Sequence, residues 1–174
     1  HQPRRQRQMC IRDRNMTDVL FYHLERQSLE QALPILLDLS MQRNWRVVVQ
    51  AGSPERVKTL NENLWTYQDD SFLPHGASGD MAAEDAATQP IWLTDSADTP
   101  NDAQVLFLVD GADRDEIRQF ERCIYMFDGG DDEAVRQARD KWKSLSDENY
   151  SLTYYQQNHA GKWEKTVSYT HLRA

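Results

Sequence analysis

The longest apolar runs in this 174-residue chain, such as "VLFLV" at residues 105–109, fall far short of the roughly 20 residues a membrane-spanning helix needs. Cysteine is scarce as well. The two present, Cys10 and Cys123, exclude a disulfide framework, and a reducing, cytoplasmic compartment is the expectation. Cys123 lies within the apolar run "CIYMF" and reads as a buried strand residue. Glycine is sparse where a nucleotide-binding protein needs it. The junction "HLERQSLEQ" contains none, no G-x-x-x-x-G-K-S/T occurs, and "QAGSPERV" has a single glycine, which reads as a turn. The phosphate cradle is missing.

Both ends differ in character from the rest. Residues 1–15, "HQPRRQRQMCIRDRN", are basic and without periodicity, while "TVSYTHLRA" at residues 166–174 follows no turn or cap logic. "MCIRDR" and "VSYTHLRA" are similar to translated sequencing-adapter read-through. The expectation is therefore a native start at Met16, a single domain over residues 16–165, and non-native or disordered ends. Within 16–165 stand 14 basic and 27 acidic residues, a formal charge of −13 against −8 for the whole chain. Such a surface repels phosphate backbones, so any role near DNA is expected to run through protein partners.

Between the ends, hydrophobic periodicity alternates strand and helix. "DVLFYHL" (residues 18–24) has strand length, and "SLEQALPILLDLSMQRN" (28–44) has helical spacing, with a Ser28/Gln31 capping box and Pro34 near its start. "WRVVVQA" (45–51) reads as a strand covered on both faces. "SPERVKTLNENLW" (53–65) opens a helix with Ser53 as N-cap and Pro54 at the first helical position. Three more strands are expected at 90–94, 103–109 and 123–128, with a helix at about 114–121. The glycine pair at 129–130 precedes a helix to about Ser146, and an extended segment with a turn follows. The intervening "GASGDMAAEDAATQ" (76–89) reads as a loop. This order predicts an α/β fold: a Rossmann-like, mostly parallel sheet with helices on both faces.

Candidate chemistry is thin. Ser71 with Asp69, Asp70 and His75 lacks a nucleophile elbow, and nearness in sequence does not make a triad. Asp128, Asp131 and Asp132 with His75 form the best alternative, a small metal-dependent phosphoesterase. Acids after a glycine pair also simply cap a helix. No catalytic set, metal or cofactor is expected, and His23 and His159 read as structural or solvated.

The most distinctive stretch is "LWTYQDDSFLPHG" (64–76), which resembles the signature of the chi-subunit family of bacterial DNA polymerase III: Leu-Trp, variable residues, then Ser-Phe-x-Pro-His. Leu64, Trp65, Ser71, Phe72, Pro74 and His75 carry the match. "FYHL", "WRVVV", "TDSADTPNDA" with its flanking strands, and "ARDKWK" extend the resemblance over residues 16–165. It implies a non-catalytic accessory subunit of the clamp-loader assembly that bridges the psi subunit and the acidic C-terminal tail of single-stranded-DNA-binding protein. It places psi at Trp65 and Phe72, with Leu73, Pro74 and His75 beside them, and some members use that surface for a helicase-like repair partner. The tail site it implies is Arg139, Trp142 and Lys143, with Arg136 nearby. Independently, two large rings on a proline-stiffened loop suit an interface anchor. At 100° per residue, Arg136, Arg139 and Lys143 share an arc of about 60° on one helix, with Trp142 beside Val135 and Lys141 pointing elsewhere.

Overall fold

The computed structural model describes residues 17–166. Eight strands run in chain order as β1 (Asp18–Leu24), β2 (Val47–Gln50), β3 (His75–Ala77), β4 (Ile91–Thr94), β5 (Val105–Leu108), β6 (Arg122–Asp128), β7 (Ser151–Gln157) and β8 (Trp163–Thr166). The helices among the described residues are α1 (Leu29–Gln42), α2 (Pro54–Thr66), α3 (Ala83–Ala86) and α4 (Asp132–Asp147). The start assigned to Met16, the leader at 1–15 and the tail from 167 lie outside the described residues. Thr166, assigned to that tail, instead ends β8.

The strands form one sheet in the order β3-β4-β2-β5-β6-β1-β7-β8. All neighbours are parallel except β8, which runs antiparallel to β7. This is a single α/β domain. Every residue of β2, β4 and β5 is buried, as a parallel sheet covered on both faces requires. Alternation sorts them into two cores. Leu20, Val47, Val49, Phe107 and Ile124 share a core with α1 and α2, whereas Phe21, Val48, Leu106, Cys123 and Tyr125 share one with α4, Ile117 and Phe120.

Local chemistry sets the helix starts. Ser28 and Gln31 form the capping box of α1, and the Ser53 side chain accepts from the Arg56 amide with Pro54 opening α2. The Asp131 carboxylate accepts from the Glu133 and Ala134 amides at the start of α4. Gly52, just before α2, is required by close approach, since a Cβ there would lie 2.5 Å from the Asp110 carbonyl oxygen.

Two expectations fail. Residues 76–89 are not all loop: β3 adds a three-residue edge strand and α3 a short helix, both too brief to show a period. Residues 114–121 form no helix. They are pinned by Arg114, which is 4% exposed, and by the burial of Ile117 and Phe120. The Arg114 guanidinium donates to Gln50 Oε1 (2.8 Å), Thr99 Oγ1 (2.9 Å) and the carbonyls of Ser96 and Asp98 (3.3 and 3.2 Å). It also stacks 5.4 Å from the Phe120 ring centre. Burial pushes its pKa down, and the nearby Asp98 carboxylate opposes that shift. The β4–β5 loop is thus riveted to the C-terminal end of β2.

Replacing Arg114 with methionine leaves these buried acceptors without a donor. The expected cost is about 2 to 4 kcal/mol in urea unfolding, with faster amide exchange confined at first to residues 95–101. Unchanged stability would mean that the loop is held by other contacts.

Candidate functional site

Helix α2 buries Val57, Leu60 and Leu64. Trp65, about 100° further round the helix, is thereby turned outward and is 55% exposed. The chain then loops through residues 67–74, fastened where the Tyr67 hydroxyl meets Ser71 Oγ at 2.7 Å. Phe72 projects from this loop with 68% exposure, and its ring centre lies 5.9 Å from that of Trp65.

The signature residues therefore separate into two layers. Leu73 and His75 lie beneath, buried, and Pro74 is half-buried between them and the surface. His75 bridges the loop to the helix, with Nδ1 2.6 Å from the Leu73 carbonyl oxygen and Nε2 2.9 Å from Asn61 Oδ1. Asn61 is itself oriented by donating to Asp80 at 2.7 Å. The Trp65 ring rests 4.6 Å from the imidazole. The histidine is a support for the indole, and its side chain offers little surface to a partner. The family resemblance marks these residues as a group but carries no signal of their depth.

On α4 the grouping is similar. Arg136 and Lys143 are exposed and Arg139 is half-buried. Arg136 pairs with Glu133 one turn earlier, an exposed contact of small energetic value. Trp142 is only 6% exposed and packs edge-on against Phe21 (5.1 Å) and Tyr154 (6.3 Å). Burial raises the Tyr154 phenol pKa, and the Arg139 charge opposes the rise. Lys141 lies on the other flank and pairs with Asp113 at 2.9 Å.

The alternative metal set is not assembled. His75 is on β3 and Asp128 ends β6, four strand spacings away, roughly 19 Å. Asp128 accepts from the Gly130 amide and Asp131 caps α4. Among the described residues, no three His, Cys, Asp or Glu side chains are grouped to hold a metal. The crevice at the C-terminal ends of β1, β5 and β6, about 1050 Å³, is where an α/β sheet commonly takes a ligand. Acids dominate its lining, among them Glu25, Glu30, Asp110, Asp128, Glu133 and Asp140. Its cations are spent: Arg56 pairs with Glu30 and Asp110, and Lys141 with Asp113. Such a crevice disfavours a phosphate. Burial also pushes the Cys123 thiol far above its ordinary pKa, which leaves it a poor nucleophile.

The two layers of the loop are separable by mutation. Phe72→Ala is expected to shift unfolding free energy by no more than about 0.5 kcal/mol, as at other exposed positions. His75→Ala removes two buried contacts and is expected to cost about 2 kcal/mol. Urea titration of both variants checks this, and a large loss in Phe72→Ala would assign its ring to the core.

The model of the family described as DNA polymerase III chi subunit, HolC, matches residues 16–153, a span that contains both the Trp65/Phe72 loop and all of α4. A curated relative, "Probable DNA polymerase III subunit chi" of Rickettsia prowazekii (strain Madrid E), is 27% identical over 157 residues, covering 86% of this chain and 92% of the relative. No helix among the described residues is long and apolar enough to cross a membrane. With the family model matching most of its length, the chain belongs to the DNA polymerase III chi-subunit family, non-catalytic accessory subunits of the DNA-replicating polymerase.

Proposed function

We propose that this accessory subunit bridges two proteins, holding the psi subunit on the Trp65/Phe72 loop and the acidic tail of single-stranded-DNA-binding protein on α4. The observation that carries the reading is the exposed Trp65/Phe72 pair, with neighbouring ring centres and Leu73 and His75 fixed beneath it. Rings held this way lose little conformational entropy on binding and present large apolar area. Pro74 stiffens the loop and contributes its half-buried edge, whereas Leu73 and His75 act by position. A helicase-like repair partner on the same surface would compete with psi.

On α4, Arg139 and Lys143 suit the terminal carboxylate and acidic residues of the tail, with Arg136 contributing longer-range attraction once its pairing with Glu133 yields. Trp142 supports this flank from below. Half-buried Val135 and Leu152, packed on the same core, offer apolar surface to the tail's last side chain. The net negative charge of the chain makes a locally basic patch such as this one selective for an acidic ligand and keeps DNA contact indirect.

Phe72→Ala in the folded protein is expected to weaken psi binding by about 2 kcal/mol or more, roughly thirtyfold. Calorimetry with purified psi measures it, and full affinity would move the psi contact off the loop. Arg139→Ala and Lys143→Ala are each expected to weaken a labelled tail peptide by about 1.5 to 3 kcal/mol, with psi binding intact. Affinity should fall with added salt. Unchanged tail affinity in both variants would remove the site from α4.

A further inference from the structure

Among the described residues four large apolar side chains stand exposed: Trp65, Phe72, Ile35 and Leu39. Ile35 and Leu39, 49% and 46% exposed, lie on α1, away from the loop surface. Glu30 of α1 meets Arg56 and Asn63 on α2. At 100° per residue Leu39 lies about 180° from Glu30, and Ile35 about 40° from Leu39, so both occupy the flank turned from α2.

That flank borders a groove of about 290 Å³ lined by Leu39, Arg43, Trp45, Arg122, Tyr22 and Tyr155. Thr153 and Tyr155 of β7 remain half-exposed along it. Tyr22 stacks on Tyr155 at 4.9 Å and meets Trp163 edge-on at 4.8 Å, giving an aromatic floor. The guanidinium carbons of Arg43 and Arg122 stand 5.0 and 4.9 Å from the Trp45 ring centre. No carboxylate among the described residues forms an ion pair with either arginine. Asp18 lines the groove beside Arg122 in the β1/β6 register, and Lys165 lies across from Tyr155 on β8. Local charge is therefore positive on a chain of net charge −8.

We infer that this groove is a second protein-docking surface, beyond those in the proposed function, which takes an acidic amphipathic peptide segment. Carboxylates of the segment meet Arg43 and Arg122, already oriented by stacking on Trp45. Its aliphatic or aromatic side chains cover Leu39, Ile35 and Tyr155. The aliphatic wall distinguishes this occupant from single-stranded nucleic acid, which gains from a continuous basic track that the acidic surroundings do not supply.

The test uses the full chain, isotope-labelled for NMR, titrated with a short C-terminally amidated peptide that alternates acidic residues with leucine and phenylalanine. Amidation removes the terminal carboxylate that the α4 site would use. Shifts should concentrate on the Trp45 indole and on the amides of Arg43, Leu39 and Tyr155. A double Arg43→Ser, Arg122→Ser variant should bind at least about tenfold more weakly, the loss of two charge-assisted contacts. Leu39→Asp, at an exposed position, should weaken binding without disturbing the fold, and Arg139→Ala should leave it unchanged. The inference is overturned if the Trp45 signals stay still at saturating peptide, if the double variant binds as wild type does, or if Arg139→Ala abolishes binding. It is overturned equally if an oligothymidine moves the same signals at lower concentration than the peptide.

Discussion

Complete burial of the central strands is the constraint from which the rest of this molecule follows. Strands β2, β4 and β5 expose no side chain, so each alternate residue needs a cover on its own side. On one side α1 and α2 supply it. On the other it comes from α4 together with Ile117 and Phe120 from an irregular segment. Because that segment is not a helix, its backbone groups need other partners, and the polar cluster around Gln50 and Arg114 ties it down. Gln50, the last residue of β2, accepts from Arg114 and donates to the Asp113 carbonyl. One strand end thus organises two loops.

Much of this was legible in the sequence where local chemistry and burial agree. The capping box at Ser28 and the Ser53-Pro54 start placed two helix starts where they lie, and the glycine pair at 129–130 marked the approach to a third. The continuous apolar run of β2 announced cover on both faces. Illegible were features decided by tertiary contact. Three residues of β3 have no period to read, and they join the sheet because β4 offers a free edge. Residues 114–121 carry helical spacing, yet about two turns of helix cannot outweigh the burial of Arg114 at a site with four acceptors.

The same distinction governs the candidate site. The family resemblance grouped Trp65, Phe72, Leu73, Pro74 and His75, and likewise Arg139, Trp142 and Lys143 with Arg136 nearby, but it does not say which members face solvent. Depth depends on what covers a position. His75 sinks because β3 pairs with β4 and because Asn61 and the Leu73 carbonyl await its ring. Trp142 sinks because Phe21 and Tyr154 leave room for an indole between β1, β7 and α4. In both places a conspicuous residue sits below a less conspicuous surface and sets its shape.

Geometry also bears on whether the two proposed partners are compatible. Trp65 and Phe72 belong to the face covered by α2, beside the β3 edge of the sheet, whereas Arg139 and Lys143 ride on α4, over β6 and β7 on the opposite face. From β3 to β1 is five strand spacings, roughly 24 Å. That exceeds a Debye length at physiological salt, so charge brought to one surface is largely screened at the other. The intervening strands are buried and continuous, which favours rigid separation over coupled motion. Independent occupancy is what the proposed bridging role would require, since a partner that weakened the other would release the link between them. The acidic crevice at the C-terminal ends of β1, β5 and β6 adds a further constraint: its carboxylates repel a DNA strand passing close to it.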